Sequence, residues 1–76
     1  MREQVKECLQ RVCPNIDFET EVSLIESGIL DSLSIIQIIC ALTDTFEIEI
    51  DADDIVVENF NSLSDLCDLV TRKRGN

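Results

Sequence analysis

The chain has 76 residues, enough for one domain but too few to leave room for a deep active-site cleft. It has no histidine, the commonest general base and metal ligand, and its sixteen acidic and six basic residues give a net charge of −10. This charge repels nucleic acid and anionic membranes and attracts partners with basic surfaces, so we expect neither nucleic-acid binding nor membrane insertion.

The first predicted element is a helix that ends at Cys13, because the following Pro14 disfavours helical backbone at the residue before it. Its apolar residues recur at helical spacing. They are Val5, Cys8, Leu9 and Val12. Residues 14–30 form a long connection, which we expect to lie across the core, with Gly28 ending a short helical turn. The apolar residues that would hold it there are Ile16, Phe18, Val22, Leu24, Ile25, Ile29 and Leu30.

The second helix is predicted to begin after Asp31, which suits an N-cap, and to run to about Phe46 without internal glycine or proline. Residues 47–51 (EIEID) alternate like a short strand or an extended turn. Asp51 is then expected to cap a short third helix through residues 52–59. Residues 62–65 match a capping box that opens the last helix. Its apolar stripe is Leu63, Leu66, Cys67 and Val70.

These elements predict an all-α fold with three main helices, one short third helix and a long loop after helix 1. The whole chain, residues 1–76, is expected to form a single domain. Its four cysteines, at positions 8, 13, 40 and 67, show no Cys-x-x-Cys spacing, so we predict no metal ligands and no disulfides. No apolar run reaches the roughly 20 residues of a membrane span. We expect a cytoplasmic monomer with free, largely buried thiols.

The second helix carries two apolar faces when residues 33–46 are placed about 100° apart on a helical wheel. The expected core face contains Ile35, Ile38, Ile39, Leu42 and Phe46. The second face, at a different angle, contains Leu33, Ile36 and Cys40 and is flanked by polar residues. A domain this short has little room to bury both faces, so we predict a partly exposed docking surface. The alternative is that the 14–30 connection covers it.

Ser32 stands where this second face begins. A serine hydroxyl needs an adjacent base to act as a nucleophile. The chain has no histidine, and its two lysines, Lys6 and Lys73, lie near the ends. We therefore predict that the chain is not an enzyme and that any chemistry at Ser32 is activated by another protein. The plainer interpretation is that Asp31 and Ser32 only cap a helix, as we expect of residues 61–63.

The pattern Gly28-x-x-Asp31-Ser32-Leu33, after one helix and a long loop, resembles the acyl carrier protein family. The likeness extends over essentially the whole chain, including its length, acidity and helix order. It implies a four-helix bundle in which Ser32 carries covalently attached 4′-phosphopantetheine. A phosphopantetheinyl transferase attaches this group from coenzyme A with magnesium, and Asp31 orients the site or its metal. The arm then holds acyl groups as thioesters, typically in fatty acid or polyketide biosynthesis.

The resemblance also implies partner-facing positions on the second face of the helix. Ser34 and Gln37 stand where family members often carry acidic residues, so we expect weaker electrostatic docking through the first turns. Acidic residues concentrate further along the chain, and we expect partners to bind them together with the apolar stripe. The predicted contact residues are Leu33, Ile36, Gln37, Cys40, Asp44, Glu47, Asp53 and Asp54. The implied partners are the transferase, an acyl-loading ligase or acyltransferase, and synthase enzymes with basic docking patches.

Three alternatives remain open. Residues 28–32 also resemble carriers that work with adenylating enzymes, including aminoacyl and D-alanyl carriers, so the cargo could be an aminoacyl or peptidyl group. A non-covalent helical interaction module would explain the acidity and the second face, but not the placement of the Asp-Ser-Leu motif. A calcium loop starting at Asp51 would lack its glycine at Val56 and its final acid at Ser62.

Overall fold

The computed structural model describes residues 2–20 and 23–75, so Val22 of the predicted connection lies outside the described residues. Within those ranges the helices are α1 (Arg2–Val12), α2 (Ser32–Phe46), α3 (Val57–Phe60) and α4 (Leu63–Arg74), and a 3₁₀ turn (Ala52–Asp54) precedes α3. The predicted all-α fold, with three main helices, a short third helix and a long first loop, is confirmed. No helix in these ranges has both the length and the apolarity needed to cross a membrane.

The connection between α1 and α2 packs on the core rather than extending into solvent. Phe18, Leu24 and Leu30 are buried within it, and three further isoleucines pack against the core from the same segment. The turn at residues 24–28 ends at Gly28, whose φ of +82° is a backbone conformation that glycine adopts without strain. The prediction that this segment lies across the core is therefore confirmed for its described residues.

The core lies where α1 contacts both α2 and α4. From α2 it takes Ile38 and Leu42, which are fully buried, while Ile35, Ile39 and Phe46 are partly buried against it. These five residues are the predicted core face of the helix. The buried members of the core are Val5, Cys8, Leu9, Cys13, Phe18, Leu24, Leu30, Ile38, Leu42, Ile48, Phe60, Leu63, Leu66, Leu69 and Val70.

The segment between α2 and α4 departs from the prediction in two ways. Residues 47–51 form an extended turn that buries Ile48, and the alternative of a short strand is wrong. The predicted third helix through residues 52–59 is divided, because the 3₁₀ turn ends at Asp54 and α3 begins only at Val57. Val56 is extended, with φ −129° and ψ 158°. Consecutive β-branched residues at 55–57 disfavour a continuous helix, since a helix restricts their rotamers.

Helix α4 begins at the predicted Ser62 cap, although only one of the two hydrogen bonds of a capping box is present among the described residues, and it ends at Gly75. The Ser62 hydroxyl accepts a hydrogen bond from the Asp65 amide at 3.1 Å, and the Gly75 amide donates to the Thr71 carbonyl at 2.9 Å. Basic residues fill its last turn, where cations complement the helix dipole. Each of them also contacts a neighbouring segment, and Arg72 does so by donating a hydrogen bond to Asn59 Oδ1 at 2.9 Å. The Lys73 ammonium lies 2.6 Å from Asp54 Oδ2, and the Arg74 guanidinium lies 5.8 Å from the centroid of the Phe46 ring.

The four cysteines are free, but they are less uniformly buried than the sequence predicts. Cys8 and Cys13 are buried and Cys67 is half-buried, whereas Cys40 is exposed on α2. The expectation of largely buried thiols is therefore wrong for Cys40. The reason is helical periodicity, which places Cys40 on the second face of α2 and not on the core face.

Candidate functional site

Ser32 is the first residue of α2, and its side chain is exposed. The cap of the helix is supplied by Asp31, whose Oδ1 accepts a hydrogen bond from the Ser34 amide at 2.8 Å. No hydrogen bond joins the Ser32 hydroxyl to any other residue in the described ranges. Capping therefore explains the aspartate of this motif, but it leaves the serine hydroxyl without a structural role.

The second serine at a helix start behaves differently. Ser62 is half-buried, and its hydroxyl accepts the hydrogen bond that caps α4. The sequence Asn61-Ser62-Leu63 is thus a cap in which serine itself does the capping. In Asp31-Ser32-Leu33 the capping residue is the aspartate that precedes the serine, and Ser32 is exposed. The structure therefore separates two motifs that look alike in sequence.

The electrostatics at the start of α2 follow from the cap. Hydrogen bonds from the backbone amide and the hydroxyl of Ser34 hold the pKa of the Asp31 carboxyl below its ordinary value. Asp31 is therefore a carboxylate at neutral pH, and it directly precedes Ser32 in the chain. The remaining first-turn amides and the positive end of the helix dipole favour an anionic group at the same place.

The second face of α2 starts next to Ser32 and is open to solvent. Leu33 is 64% exposed and Ile36 is 57% exposed, and Gln37 and Cys40 are exposed as well. The alternative in which the 14–30 connection covers this face is wrong for the described residues. Residues 32–43 also carry no charged side chain, although the chain as a whole is strongly acidic. An uncharged, partly apolar surface thus adjoins the serine.

The predicted acidic contact residues divide into two groups. Asp44, Glu47 and Asp53 are exposed. Asp54 is engaged within the chain, since its carboxylate accepts hydrogen bonds from Lys73 and from the Asp51 amide. These two bonds hold the pKa of the Asp54 carboxyl below its ordinary value, the Lys73 contact being the larger cause. Its charge is therefore already paired.

Two features near the site are not evident from the sequence. Ile55, Val56 and Val57 are more than 40% exposed. Asn61 is bonded to residues 24–26, the turn that precedes the Ser32 motif. The composition of this run gives no sign of its exposure, because isoleucine and valine are more often buried. Nothing in the local sequence points to the Asn61 contacts, because the partners lie 35 or more residues away.

A family model described as the phosphopantetheine attachment site matches residues 3–70, nearly the full chain. The chain therefore belongs to this family of phosphopantetheine-carrying proteins, which confirms the resemblance drawn from residues 28–33. Domains of this family are generally non-catalytic tethers that work with a phosphopantetheinyl transferase and with synthases. No curated protein and no solved structure gives a significant match to the chain.

The start of α2 fits the prosthetic group of the family, 4′-phosphopantetheine. The group is linked through a phosphodiester, and a phosphodiester anion suits a helix N-terminus with first-turn amides. The Ser32 hydroxyl is exposed, so another protein can approach it. The ionised Asp31 next to it is an oxygen ligand of the kind that magnesium prefers. The residues present therefore suit both the group and its attachment.

Proposed function

We propose that the chain is an acyl carrier protein whose 4′-phosphopantetheine is attached to Ser32. The observation that carries the proposal is the exposed Ser32 hydroxyl at the first position of α2, unused by the cap and next to an exposed apolar face. Family membership supports the prosthetic group, and the structure around Ser32 supports this residue as its site.

The chain supplies the nucleophile and its surroundings, and the transferase supplies the base. Ser32 Oγ forms a bond to the β-phosphorus of coenzyme A as the pyrophosphate bond breaks, and adenosine 3′,5′-bisphosphate leaves. The serine proton passes to a base on the transferase, because the chain lacks histidine and Lys6 and Lys73 are paired with carboxylates. Asp31 would bind the magnesium ion at this step.

Once bound, the group supplies a terminal thiol that holds the cargo as a thioester. The contribution of the chain is to tether that thioester and to dock at each partner enzyme, which raises its effective concentration in the partner's active site. The chain has no histidine, and both of its lysines are paired with carboxylates, which supports a carrier without catalytic activity of its own. The single core and the four free thiols support one domain in a reducing compartment such as the cytoplasm.

We assign docking to the second face of α2 and the exposed acids that follow it. Leu33, Ile36, Gln37 and Cys40 form the uncharged part of this surface, and Asp44, Glu47 and Asp53 form the charged part. We leave out Asp54, because Lys73 already pairs with its carboxylate. A complementary partner has an apolar depression for Ile36 and basic residues beside it. The net charge of −10 steers such partners, so added salt should slow association.

A second candidate cargo is an aminoacyl or peptidyl group loaded by an adenylating enzyme. The lack of charged side chains over residues 32–43 favours it, since acyl carriers often present acids there. The two cargoes can be separated with the modified protein, ATP and separate loading enzymes for carboxylic acids and for amino acids. Intact mass then reports which group is held, and release by hydroxylamine shows that it is held as a thioester.

The attachment proposal is tested by incubating the protein with coenzyme A, magnesium and a broad-specificity phosphopantetheinyl transferase. The intact mass should rise by one phosphopantetheinyl group, and peptide mapping should place it within residues 28–36. Ser32→Ala should abolish the gain. Ser62→Ala is the matched control and should keep it. A gain that persists in Ser32→Ala, or no gain in the wild type while a reference carrier is modified, contradicts the proposal.

A further inference from the structure

The turn that leads into the Ser32 motif is held by one residue from the other end of the chain. The Asn61 carbonyl accepts a hydrogen bond from the Leu24 amide at 2.7 Å. The Asn61 side-chain oxygen accepts from the Ile25 amide at 2.9 Å and from the Glu26 amide at 3.4 Å. Its amide nitrogen donates to Glu26 Oε1 at 3.0 Å. Four hydrogen bonds thus join one asparagine to three consecutive residues.

These bonds give the turn a cap that comes from elsewhere in the chain. Residues 23–28 form a single helical turn, in which the Ser27 amide bonds to the Ser23 carbonyl at 2.8 Å and the Gly28 amide bonds to the Ile25 carbonyl at 3.1 Å. The first amides of such a turn have no partner within it. Asparagine suits the position because its oxygen accepts from these amides while its NH₂ group binds the nearby carboxylate.

This turn also holds the segment that leads to Ser32. The Leu30 amide donates to the Leu24 carbonyl at 3.0 Å, so the segment closes on the same residue that Asn61 binds. Leu24 and Leu30 are both buried, and Asp31 and Ser32 follow directly. In the chain, Asn61 stands between Phe60 and Leu63, which are both buried. A continuous path of contacts therefore runs from the start of α4 to the attachment motif.

We propose that Asn61 is a positioning residue for the modification of Ser32. Its hydrogen bonds to residues 24–26 hold the segment that ends at Asp31 in the one arrangement that a transferase can bind. This inference rests on the proposed function, because it assigns a role in the reaction at Ser32. When a binding-competent state is only partly populated, apparent affinity falls by that fraction. Loss of the bonds should therefore raise KM for the carrier and leave kcat unchanged.

The test compares Asn61→Ala with Asn59→Ala under conditions in which both variants are folded. Asn59 is a matched control on α3, since it also makes two side-chain hydrogen bonds, but to Asp54 and Arg72 rather than to the turn. With a broad-specificity transferase and saturating coenzyme A, Asn61→Ala should raise KM for the carrier about three- to tenfold. Amide exchange at Ile25 and Glu26 should accelerate, because the Asn61 side-chain oxygen accepts from both, and Asn59→Ala should leave both measurements near wild type.

A second pair of variants, which exchanges the amide and the carboxylate between positions 61 and 26, keeps the test decisive if Asn61→Ala does not fold. Asn61→Asp keeps an oxygen for the Ile25 amide but places a second carboxylate against Glu26, so KM should rise. Adding Glu26→Gln restores an amide donor and should return KM towards wild type, which a general loss of stability would not do. The intact mass and circular dichroism of each variant are recorded alongside.

The outcomes separate this proposal from the proposed function. A wild-type protein that is not modified at Ser32 rejects the proposed function, whatever Asn61 does. A wild-type protein that is modified, with Asn61 variants at wild-type KM, rejects the positioning role even if exchange at Ile25 has accelerated. Equal increases in KM for Asn59→Ala and Asn61→Ala, or no rescue by Glu26→Gln, would reject it as well.

Discussion

Ile36 and Ile38 lie two residues apart on α2 and face opposite environments. The Ile36 side chain is 57% exposed, whereas Ile38 has no exposed surface. Two residues turn an α-helix through about 200°, so one isoleucine meets solvent while the other packs against the core. The pair therefore separates the contribution of this helix to partner binding from its contribution to stability.

Ile36→Asp should weaken partner turnover while changing the free energy of unfolding by no more than about 0.5 kcal/mol, because the side chain is on the surface. The control Ile38→Asp should cost several kcal/mol, since it buries a charge, and should unfold much of the protein. Urea unfolding followed by circular dichroism measures the free energy of unfolding, and KM for the transferase measures the effect on partner turnover. If Ile36→Asp unfolds the domain, Ile36 belongs to the core and the docking surface is misassigned.

The two serines at helix starts should give opposite results in stability and modification. Ser62→Ala removes the hydroxyl that caps α4 and should lower the free energy of unfolding by about 1 kcal/mol. Ser32→Ala removes a hydroxyl without a hydrogen-bond partner in the described ranges and should leave stability nearly unchanged. Modification should show the opposite pattern. Ser32→Ala should not gain the mass of the phosphopantetheinyl group, and Ser62→Ala should gain it. A marked loss of stability in Ser32→Ala would show that its hydroxyl has a structural role.

Lys73 and Asp54 should make stability depend on pH at both extremes. Their contact lowers the pKa of the Asp54 carboxyl below its ordinary 3.8 and raises the pKa of the Lys73 ammonium above its ordinary 10.5. The Asp54 contribution is thus present above pH 3.8 and lost as pH falls through the lowered folded value. The Lys73 contribution is present below pH 10.5 and lost as pH rises through the raised folded value.

Lys73→Met should reduce the alkaline loss of stability and move the Asp54 part of the acid loss to higher pH, because Asp54 then keeps the Asp51 amide as its hydrogen-bond partner. Thermal unfolding from about pH 2.5 to about pH 11.5 measures both the acid and the alkaline loss of stability. Lys6→Met is the control, since Lys6 pairs with Glu19 instead and leaves the Asp54 contact intact. An unchanged pH profile for Lys73→Met would mean that the contact contributes no measurable stability in solution.

Much of the fold could be predicted from the sequence because its signals are local. The stripe of α1, the proline after it, the Asp31 cap and the Gly28 turn each act within a few residues, and the structure keeps all of them. The two faces of α2 also follow from helical spacing alone. The exposure of Leu33 and Ile36 was predictable for the same reason.

The remaining features depend on contacts between distant residues. The sequence predicts that Asn61 is part of a helix cap, yet its side chain binds a turn 35 residues away. Asp54 reads as one of a row of surface acids, yet Lys73 on α4 pairs with it. No local pattern reports these pairings.

Cys40 should be the first thiol to react with a maleimide in the folded protein. It is exposed on the second face of α2, whereas Cys8 and Cys13 are buried, and burial raises the pKa of the Cys13 and Cys67 thiols. Cys40→Ser should remove the fast phase of labelling, and Cys8→Ser should leave it. A partner that docks on this face should slow the reaction at Cys40. Unchanged labelling in a saturated complex would place docking elsewhere, because a thiol beneath a bound partner is shielded from reagent.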